Sequence, residues 1–173
     1  RQTSYLPYQL LEMAENRLRV MRETVGSAVD ITVENHANTD ANTAIQLGQM
    51  AEKYRIRFYE EPTLPVNPEV IRKVADKVNI PIATGERTYT RWGFQQLFES
   101  QAVSVIQPDI GNCGGVTECK KICDMAHVHD IGVHTHVCSS PLNLAVFLHL
   151  AAAIPNFIIH EHHINSTLPP VIE

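Results

Sequence analysis

A repeating unit of about 25 residues is the feature that most constrains how this chain can fold. Short apolar runs rich in β-branched and aromatic residues alternate with helical patterns through the 173 residues. The predicted strands cover residues 30–33, 57–59, 80–83, 103–106, 131–133 and 157–159. The helical patterns cover residues 10–21, 44–51, 70–78, 94–98, 116–126 and 142–153, the first of them ending before Gly26. This alternation is typical of βαβ units and a parallel sheet.

Each predicted strand is followed by a side chain that can carry chemistry. These side chains are Glu34, Glu60, Glu86, Asp109, His136 and Glu161. The carboxyl ends of parallel strands lie on one face of the sheet, and they converge on a single site if the sheet curls into a barrel. A complete (β/α)8 barrel needs about 250 residues. The sequence therefore predicts an α/β fold that is a partial (β/α)8 TIM-type barrel, with one continuous domain over residues 1–173.

The first three of these side chains are carboxylates on successive strands. Glu34, Glu60 and Glu86 would repel one another and raise each other's pKa unless a cation neutralised them. A set of oxygen ligands suits Mg²⁺, which leaves coordination positions for water or substrate. A single acidic residue at a strand end is more often solvated or a helix cap, but three at this regular spacing favour a magnesium site.

The next two strands end in an acid and a histidine. Asp109 can accept a hydrogen bond from one nitrogen of His136, which leaves the other nitrogen free to act as a base or an acid. Glu161 follows the last strand. It could be a protonated hydrogen-bond donor to a developing oxyanion, or it could be another base.

Charge and composition exclude several other function classes. The chain has 14 basic and 19 acidic residues, with a formal net charge of −5, and its basic residues are scattered, which argues against nucleic acid as a partner. No apolar run is long enough to span a membrane, and the sequence shows no leader pattern. The four cysteines form no CxxC pair, which favours a reduced, cytoplasmic setting.

The strand-end motifs together resemble the enolase superfamily. The series VENH, FYEEP, GER, QPD, HTH and HEH, in this order and at this spacing, is similar to the mandelate racemase subgroup, which includes dehydratases of sugar acids such as galactonate and gluconate. The resemblance runs from about residue 20 to the end of the chain. It implies that the six strands are strands three to eight of the superfamily's C-terminal barrel domain, and that a capping domain and the first barrel strands lie outside this sequence.

The resemblance also implies a reaction and a set of roles. It makes Glu34, Glu60 and Glu86 ligands of a Mg²⁺ cofactor, Asp109 and His136 a catalytic dyad, Glu161 a hydrogen-bonding partner of the substrate carboxylate, and His36 the group that helps expel the leaving hydroxyl. The implied enzyme is a lyase. It removes the proton α to the carboxylate of a sugar acid, forms an enediolate and eliminates water. We also expect a homo-oligomer.

Three other functions compete with this interpretation. A racemase or epimerase of the same superfamily would need a second base, and the superfamily's second-strand lysine motif does not occur in residues 1–26. A zinc-dependent barrel hydrolase would use the histidines, which are His134, His136, His160, His162 and His163. A non-catalytic homologue acting through protein contacts is the third. The chain also has Glu34 where the superfamily usually has Asp.

Two loops beside these motifs carry further expectations. Arg87 and Tyr89 could contact distal hydroxyls of a substrate, whereas Arg91 and Trp92 are expected to start the next helix. The GNCGG segment at residues 111–115 lacks the Lys-Ser/Thr of a phosphate-binding loop and is predicted to be a tight turn into a helix.

Overall fold

The computed structural model describes residues 6–138 and 140–162. The helices are α1 (Tyr8–Val25), α2 (Ala41–Ala51), α3 (Pro68–Ala75), α4 (Thr90–Ser100), α5 (Ile110–Cys113), α6 (Val116–Val128) and α7 (Pro141–Ala153), and a short 3-10 helix covers Glu52–Tyr54. The strands are β1 (Ile31–Glu34), β2 (Ile56–Glu60), β3 (Ile82–Thr84), β4 (Val105–Ile106), β5 (Gly132–Thr135) and β6 (Phe157–His160). All six predicted strands and the alternation with helices are therefore confirmed.

The strands form one parallel sheet in chain order, β1-β2-β3-β4-β5-β6. The sheet curls into a half-barrel with the helices on its outside, which confirms the partial (β/α) barrel. Because every strand runs in the same direction, every carboxyl end opens on the same face. The register then aligns the strand ends, since Glu34 pairs with Glu60 across β1 and β2.

Several predicted boundaries differ from the structure by one to four residues; the strand predicted over residues 80–83, for example, is Ile82–Thr84. The helix predicted over residues 70–78 ends at Ala75, because the apolar Val78 packs in the core beyond the helix end, close to Gly48. The strand predicted over residues 103–106 is reduced to Val105–Ile106, although the Ser104 N–H still donates to the Ile82 carbonyl oxygen at 2.9 Å.

The core lies between the sheet and the helices. The helices α3, α4 and α6 supply its largest block, which comprises Ile71, Val74, Phe94, Leu97, Phe98, Cys119, Ile122, Cys123 and Ala126. Strand β3 is buried along its whole length, as expected for a strand covered on both faces. The strand ends above this core are therefore fixed by packing below them.

Side-chain caps hold the helices where they leave the strand-end loops. Asp40 accepts a hydrogen bond from the Thr43 N–H at the start of α2, and Asn67 accepts one from Glu69 N–H at the start of α3. At the other end of a helix, Gly26 closes α1 with φ of +61°, a left-handed conformation that glycine adopts without strain.

The four cysteines lie in different surroundings. Cys113, Cys119 and Cys123 are free and buried, and Cys138 is free and exposed. Within residues 6–138 and 140–162, no helix combines the length and the apolar character needed to cross a membrane.

Candidate active site at the carboxyl ends of the strands

The acidic half of the site is built on β1, β2 and β3. Glu34 and Glu60 are the last residues of β1 and β2, and Glu86 follows the end of β3 by two residues. Among the residues described, the group that could hold a metal ion is Glu34, His36 and Glu86, each with one ligand atom within 4.8 Å of the others. Two of the three predicted ligands thus lie together, and His36 lies with them.

Glu60 lies outside that compact group but faces the same space. Burial raises the pKa of its carboxyl to about 7, a hydrogen bond from Gln107 lowers it, and the charges of Glu34, Glu161 and Glu86 raise it. The charges of Glu34 and Glu86 therefore act on Glu60, as the spacing in the sequence predicted. Whether all three bind a metal stays a prediction.

Glu86 connects the acidic half of the site to the histidine. One of its oxygens, Oε1, lies 3.1 Å from Arg87 Nε, and the other, Oε2, lies 3.4 Å from His136 Nε2. The Arg87 side chain also donates to the backbone oxygen of His36 at 3.3 Å. His36 itself, which has a left-handed φ of +50°, places Nδ1 2.5 Å from Glu34 Oε1.

The predicted dyad forms on β4 and β5. Asp109 Oδ2 lies 2.8 Å from His136 Nδ1, and the two residues also pair through an isolated parallel bridge between their backbones. Asp109 is also the N-cap of α5, because its Oδ1 accepts hydrogen bonds from the backbone N–H groups of Gly111 and Asn112 at 2.7 and 3.2 Å.

This arrangement shifts the two pKa values of the dyad in opposite directions. Burial acts to raise the pKa of Asp109, but hydrogen bonds from His136, Gly111 and Asn112 outweigh it and hold the pKa below its ordinary value. Burial acts to lower the pKa of His136. The hydrogen bond to Asp109 and the nearby acids outweigh it and raise the pKa. With Nδ1 occupied by Asp109, Nε2 is the His136 nitrogen that faces the site.

Glu161 closes the site beyond the end of β6. Its Oε2 accepts a hydrogen bond from the Val137 N–H at 3.0 Å and lies 3.7 Å from His136 Nε2. The carboxyl group therefore lies in the same space as His136, and its role as a donor or as a base stays a prediction.

Sequence reasoning missed a buried polar pair below the carboxylates. Gln107 is fully buried, donates from Nε2 to His134 Nδ1 at 2.9 Å and also bonds to Glu60. Burial lowers the pKa of His134 to about 4, so the ring is neutral near pH 7. The signal is present in the sequence, because Gln107 and His134 are the first residues of the QPD and HTH motifs on neighbouring strands.

The histidines do not form the cluster that the zinc hypothesis needs, in the part of the chain that the structure describes. The Nδ1 atom of His134 is hydrogen-bonded to Gln107, and the Nδ1 atom of His136 is hydrogen-bonded to Asp109. The His160 and His162 rings lie 6.1 Å apart, and His163 lies outside the described residues. The metal-capable group contains a single histidine, His36.

The GNCGG segment is more than a turn. Its first residues form the short helix α5, and the Asn112 side chain donates to the backbone oxygen of Glu86 at 3.1 Å. Asn112 thus connects the dyad, through the first turn of α5, to the loop that carries Glu86. Sequence alone gave no sign of this bond because the partner is a backbone atom in the loop after β3.

Two large side chains that follow β3, one in the loop and one at the start of α4, are exposed. Tyr89 and Trp92 are 64% and 74% exposed. Arg91 and Trp92 lie at the start of α4, as expected, and Arg91 Nε pairs with Glu118 at 3.0 Å.

Comparisons with known proteins agree with this architecture. The family model described as Enolase C-terminal domain-like matches residues 8–170. A crystal structure of an enolase superfamily member from Salmonella typhimurium is 51% identical, with a TM-score of 0.93 over 96% of this chain. A protein provisionally named a dehydratase, from Zymomonas mobilis ZM4, is 46% identical, with a TM-score of 0.90 over 92% of this chain. A protein from Sulfitobacter sp., named mandelate racemase/muconate lactonizing enzyme, is 32% identical, with a TM-score of 0.92 over 96% of this chain.

These relatives are longer than the chain. It spans 43%, 40% and 42% of their respective lengths. The range that the family model matches, residues 8–170, contains all six strand ends of the site.

Proposed function

The chain belongs to the Enolase C-terminal domain-like family, and on that premise we propose that it carries the catalytic groups of a Mg²⁺-dependent sugar acid dehydratase. The observation that carries the proposal is the meeting of two groups at one end of the sheet. The carboxylates of Glu34, Glu60 and Glu86 face one another, and the Asp109–His136 dyad lies against Glu86.

The donor set fits a hard divalent cation. Glu34 and Glu86 each bring a carboxylate oxygen into a compact group, and Glu60, whose pKa is raised mainly by burial and further by the charges of Glu34, Glu161 and Glu86, lies near them. We propose Glu34, Glu60 and Glu86 as the Mg²⁺ ligands. When bound, Mg²⁺ would stabilise the second negative charge that develops on the substrate carboxylate as the α proton leaves.

His136 is proposed as the base that removes the α proton. Its Nδ1 proton is directed to Asp109, so Nε2 is the atom that accepts the proton from substrate carbon. Asp109 is in turn held by the first turn of α5, which fixes the plane of the imidazole ring. Neutral His136 is required, so proton abstraction is favoured above its raised pKa.

Two further groups complete the elimination. His36 is proposed to give a proton to the β-hydroxyl, so that the C–O bond breaks and water leaves, and its contact with Glu34 holds the imidazole ring in place. Glu161 is proposed to hydrogen-bond the substrate carboxylate. The enol that forms after loss of water then becomes a 2-keto-3-deoxy acid.

An epimerase of the same superfamily is the second candidate, because the Sulfitobacter relative is named mandelate racemase/muconate lactonizing enzyme. Epimerisation returns the proton to carbon, whereas dehydration expels water. Deuterium incorporated from D₂O into recovered substrate, without 2-keto acid, would indicate the epimerase.

A screen of aldonic acids with Mg²⁺, assayed by 2-keto acid formation, tests the proposal. We expect turnover of at least one acid, loss of turnover with a chelator, and recovery with Mg²⁺ but not with Zn²⁺. Glu60→Gln should abolish the reaction. Unchanged turnover in that variant, or recovery with Zn²⁺ alone, would overturn the proposed magnesium mechanism.

A further inference from the structure

Glu61, the residue after Glu60, is a buried acid that the proposed reaction does not use. It is fully buried, and its φ of +42° lies in the left-handed region that residues other than glycine rarely adopt. A buried carboxylate and a strained backbone both cost free energy, and such features cluster at functional sites. The contacts of Glu61 indicate what this residue does.

One oxygen of Glu61 holds the end of β3. Its Oε1 accepts a short hydrogen bond from the Thr84 hydroxyl and a bond from the Gly85 N–H at 3.2 Å. These two residues come immediately before Glu86. The backbone N–H of Glu61 donates to the Ala83 oxygen at 2.9 Å, so Glu61 fixes three successive residues that precede Glu86.

The other oxygen faces the residue that follows Glu86. Glu61 Oε2 lies 3.8 Å from Arg87 Nη1, and it has no hydrogen-bond partner in the described part of the chain. Arg87 Nε lies 3.1 Å from Glu86 Oε1. The Glu61 carboxylate therefore contacts or faces the residues on both sides of Glu86.

The turn between these contacts has little freedom. Gly85 has φ of +142°, and a Cβ at that position would lie 2.9 Å from the backbone nitrogen of Gln107. The backbone must therefore pass close to β4 at this point, and the hydrogen bonds to Glu61 determine how it leaves β3.

We propose that Glu61 is a positioning residue that sets the orientation of the Glu86 carboxylate for metal binding, through Thr84 and Gly85 and through Arg87. The inference rests on the proposed function, because it takes Glu86 to be a metal ligand. Groups that orient metal ligands typically change metal affinity by about 10- to 100-fold when they are removed.

The experiment measures binding of Mn²⁺, a paramagnetic substitute for Mg²⁺, to the natural full-length protein by the EPR signal of the free ion. Glu61→Leu should lower the affinity at least about 10-fold, because leucine accepts no hydrogen bond. Glu61→Gln should stay within about threefold of the unsubstituted protein, because its amide oxygen can still accept from Thr84 and Gly85.

A matched pair of threonine variants separates positioning from stability. Thr84→Val removes the hydroxyl that donates to Glu61 and should weaken Mn²⁺ binding. Thr88→Val removes a buried hydroxyl that has no hydrogen-bond partner among the described residues, and it should leave the affinity unchanged. Circular dichroism establishes that each variant is folded. If Glu61→Leu does not fold, Glu61→Gln and the threonine pair decide the result.

A second measurement does not depend on metal. The Arg87 Nε–H NMR signal, identified through Arg87→Lys, should exchange with water faster in Thr84→Val and Glu61→Leu than in Thr88→Val. Wild-type Mn²⁺ affinity and unchanged Arg87 exchange in folded Glu61→Leu or Thr84→Val would overturn the positioning role. Failure of the unsubstituted protein to bind Mn²⁺, with Arg87 exchange altered as expected, would overturn the proposed function instead.

Discussion

The two halves of the half-barrel place their buried acids beside different neighbours. In the half formed by β1–β3, acids face acids, and burial with neighbouring carboxylates raises the pKa of Glu60 to about 7. In the half formed by β4–β6, an acid faces a histidine. The pKa of Asp109 is lowered and that of His136 is raised, despite the burial of both residues.

The difference lies in how much counter-charge each half has within the described part of the chain. The dyad is satisfied by its own hydrogen bond and by the N-terminus of α5. The acids of β1–β3 have separate partners instead, since Arg87 pairs with Glu86, the Nδ1 atom of His36 lies 2.5 Å from Glu34, and Gln107 donates a hydrogen bond to Glu60. The halves meet where Glu86 Oε2 lies 3.4 Å from His136 Nε2. A substitution can therefore affect the proposed metal site and the dyad together, or it can affect one of them alone.

Glu86→Gln should have the largest effect, because it affects both halves at once. It removes a charge from the proposed metal site and a contact of His136, and we expect kcat/KM to fall by about 10⁴-fold. Steady-state 2-keto acid formation measures the loss. Glu69→Gln, at the exposed start of α3, is the matched control. If kcat/KM falls by less than tenfold, Glu86 does not connect the proposed metal site to the dyad.

His136→Asn should disable the second half alone. Removing the base should lower kcat by about 10³-fold. Affinity for Mn²⁺ should stay within about threefold of wild type, because the acids of β1–β3 are unchanged. His127→Asn, which changes an exposed histidine on α6, serves as the control. A large loss of metal affinity in His136→Asn would contradict the separation between the halves.

The pH dependence of metal binding should report on the first half. A carboxyl whose pKa is raised to about 7 is mostly protonated at pH 6 and mostly ionised at pH 8. Because a cation binds the ionised form, apparent Mn²⁺ affinity should be about 10-fold weaker at pH 6 than at pH 8. Rising pH has the opposite effect on the stability of the metal-free fold. Without metal, the folded state holds the Glu60 proton more tightly, so stability falls as pH rises from 4.5 to about 7.

Isothermal titration calorimetry in buffers of different ionisation enthalpy would measure the proton released on binding. In Glu60→Gln the measured binding enthalpy should no longer depend on the buffer, because the glutamine side chain has no proton to release. Equal Mn²⁺ affinity at pH 6 and pH 8 in the unsubstituted protein would contradict the raised pKa of Glu60.

Asn112→Ala should have the smallest effect, because it removes one hydrogen bond between the halves. The lost bond to the Glu86 backbone oxygen should cost about 1 kcal/mol of stability. Urea denaturation measures this change. Gln95→Ala, which removes an exposed pair with Glu99 on α4, is the control and should change stability by less than about 0.5 kcal/mol. A loss equal to that of the control would show that Asn112 does not connect the two halves.

The order of elements could be predicted from the sequence because periodicity depends on local residue types. All six predicted strands occur in the structure, and each strand-end motif lies at the carboxyl end of its strand. The boundaries were less certain where an apolar residue is buried for another reason. Val78 packs in the core beyond the end of its helix, so its apolar character extended the predicted helix too far.

The contact between Asp109 and His136 could also be predicted, since neighbouring parallel strands bring equivalent positions together. The supporting contacts could not. Gln107, Glu61 and Asn112 each depend on burial or on backbone atoms from another strand, and no local pattern encodes those. Their residue types, taken alone, are as typical of ordinary loops as of a site.

The exposed loop after β3 has a practical consequence for protein engineering. The proposed catalytic groups lie at strand ends fixed by the core, whereas Tyr89, in the loop after β3, and Trp92, in the first turn of α4, are exposed. A library varied at these two positions can therefore sample new contacts with a ligand without disturbing the fixed strand ends. Under the proposed function, selection for altered substrate preference should begin there, because neither side chain is part of the proposed catalytic groups or of the core.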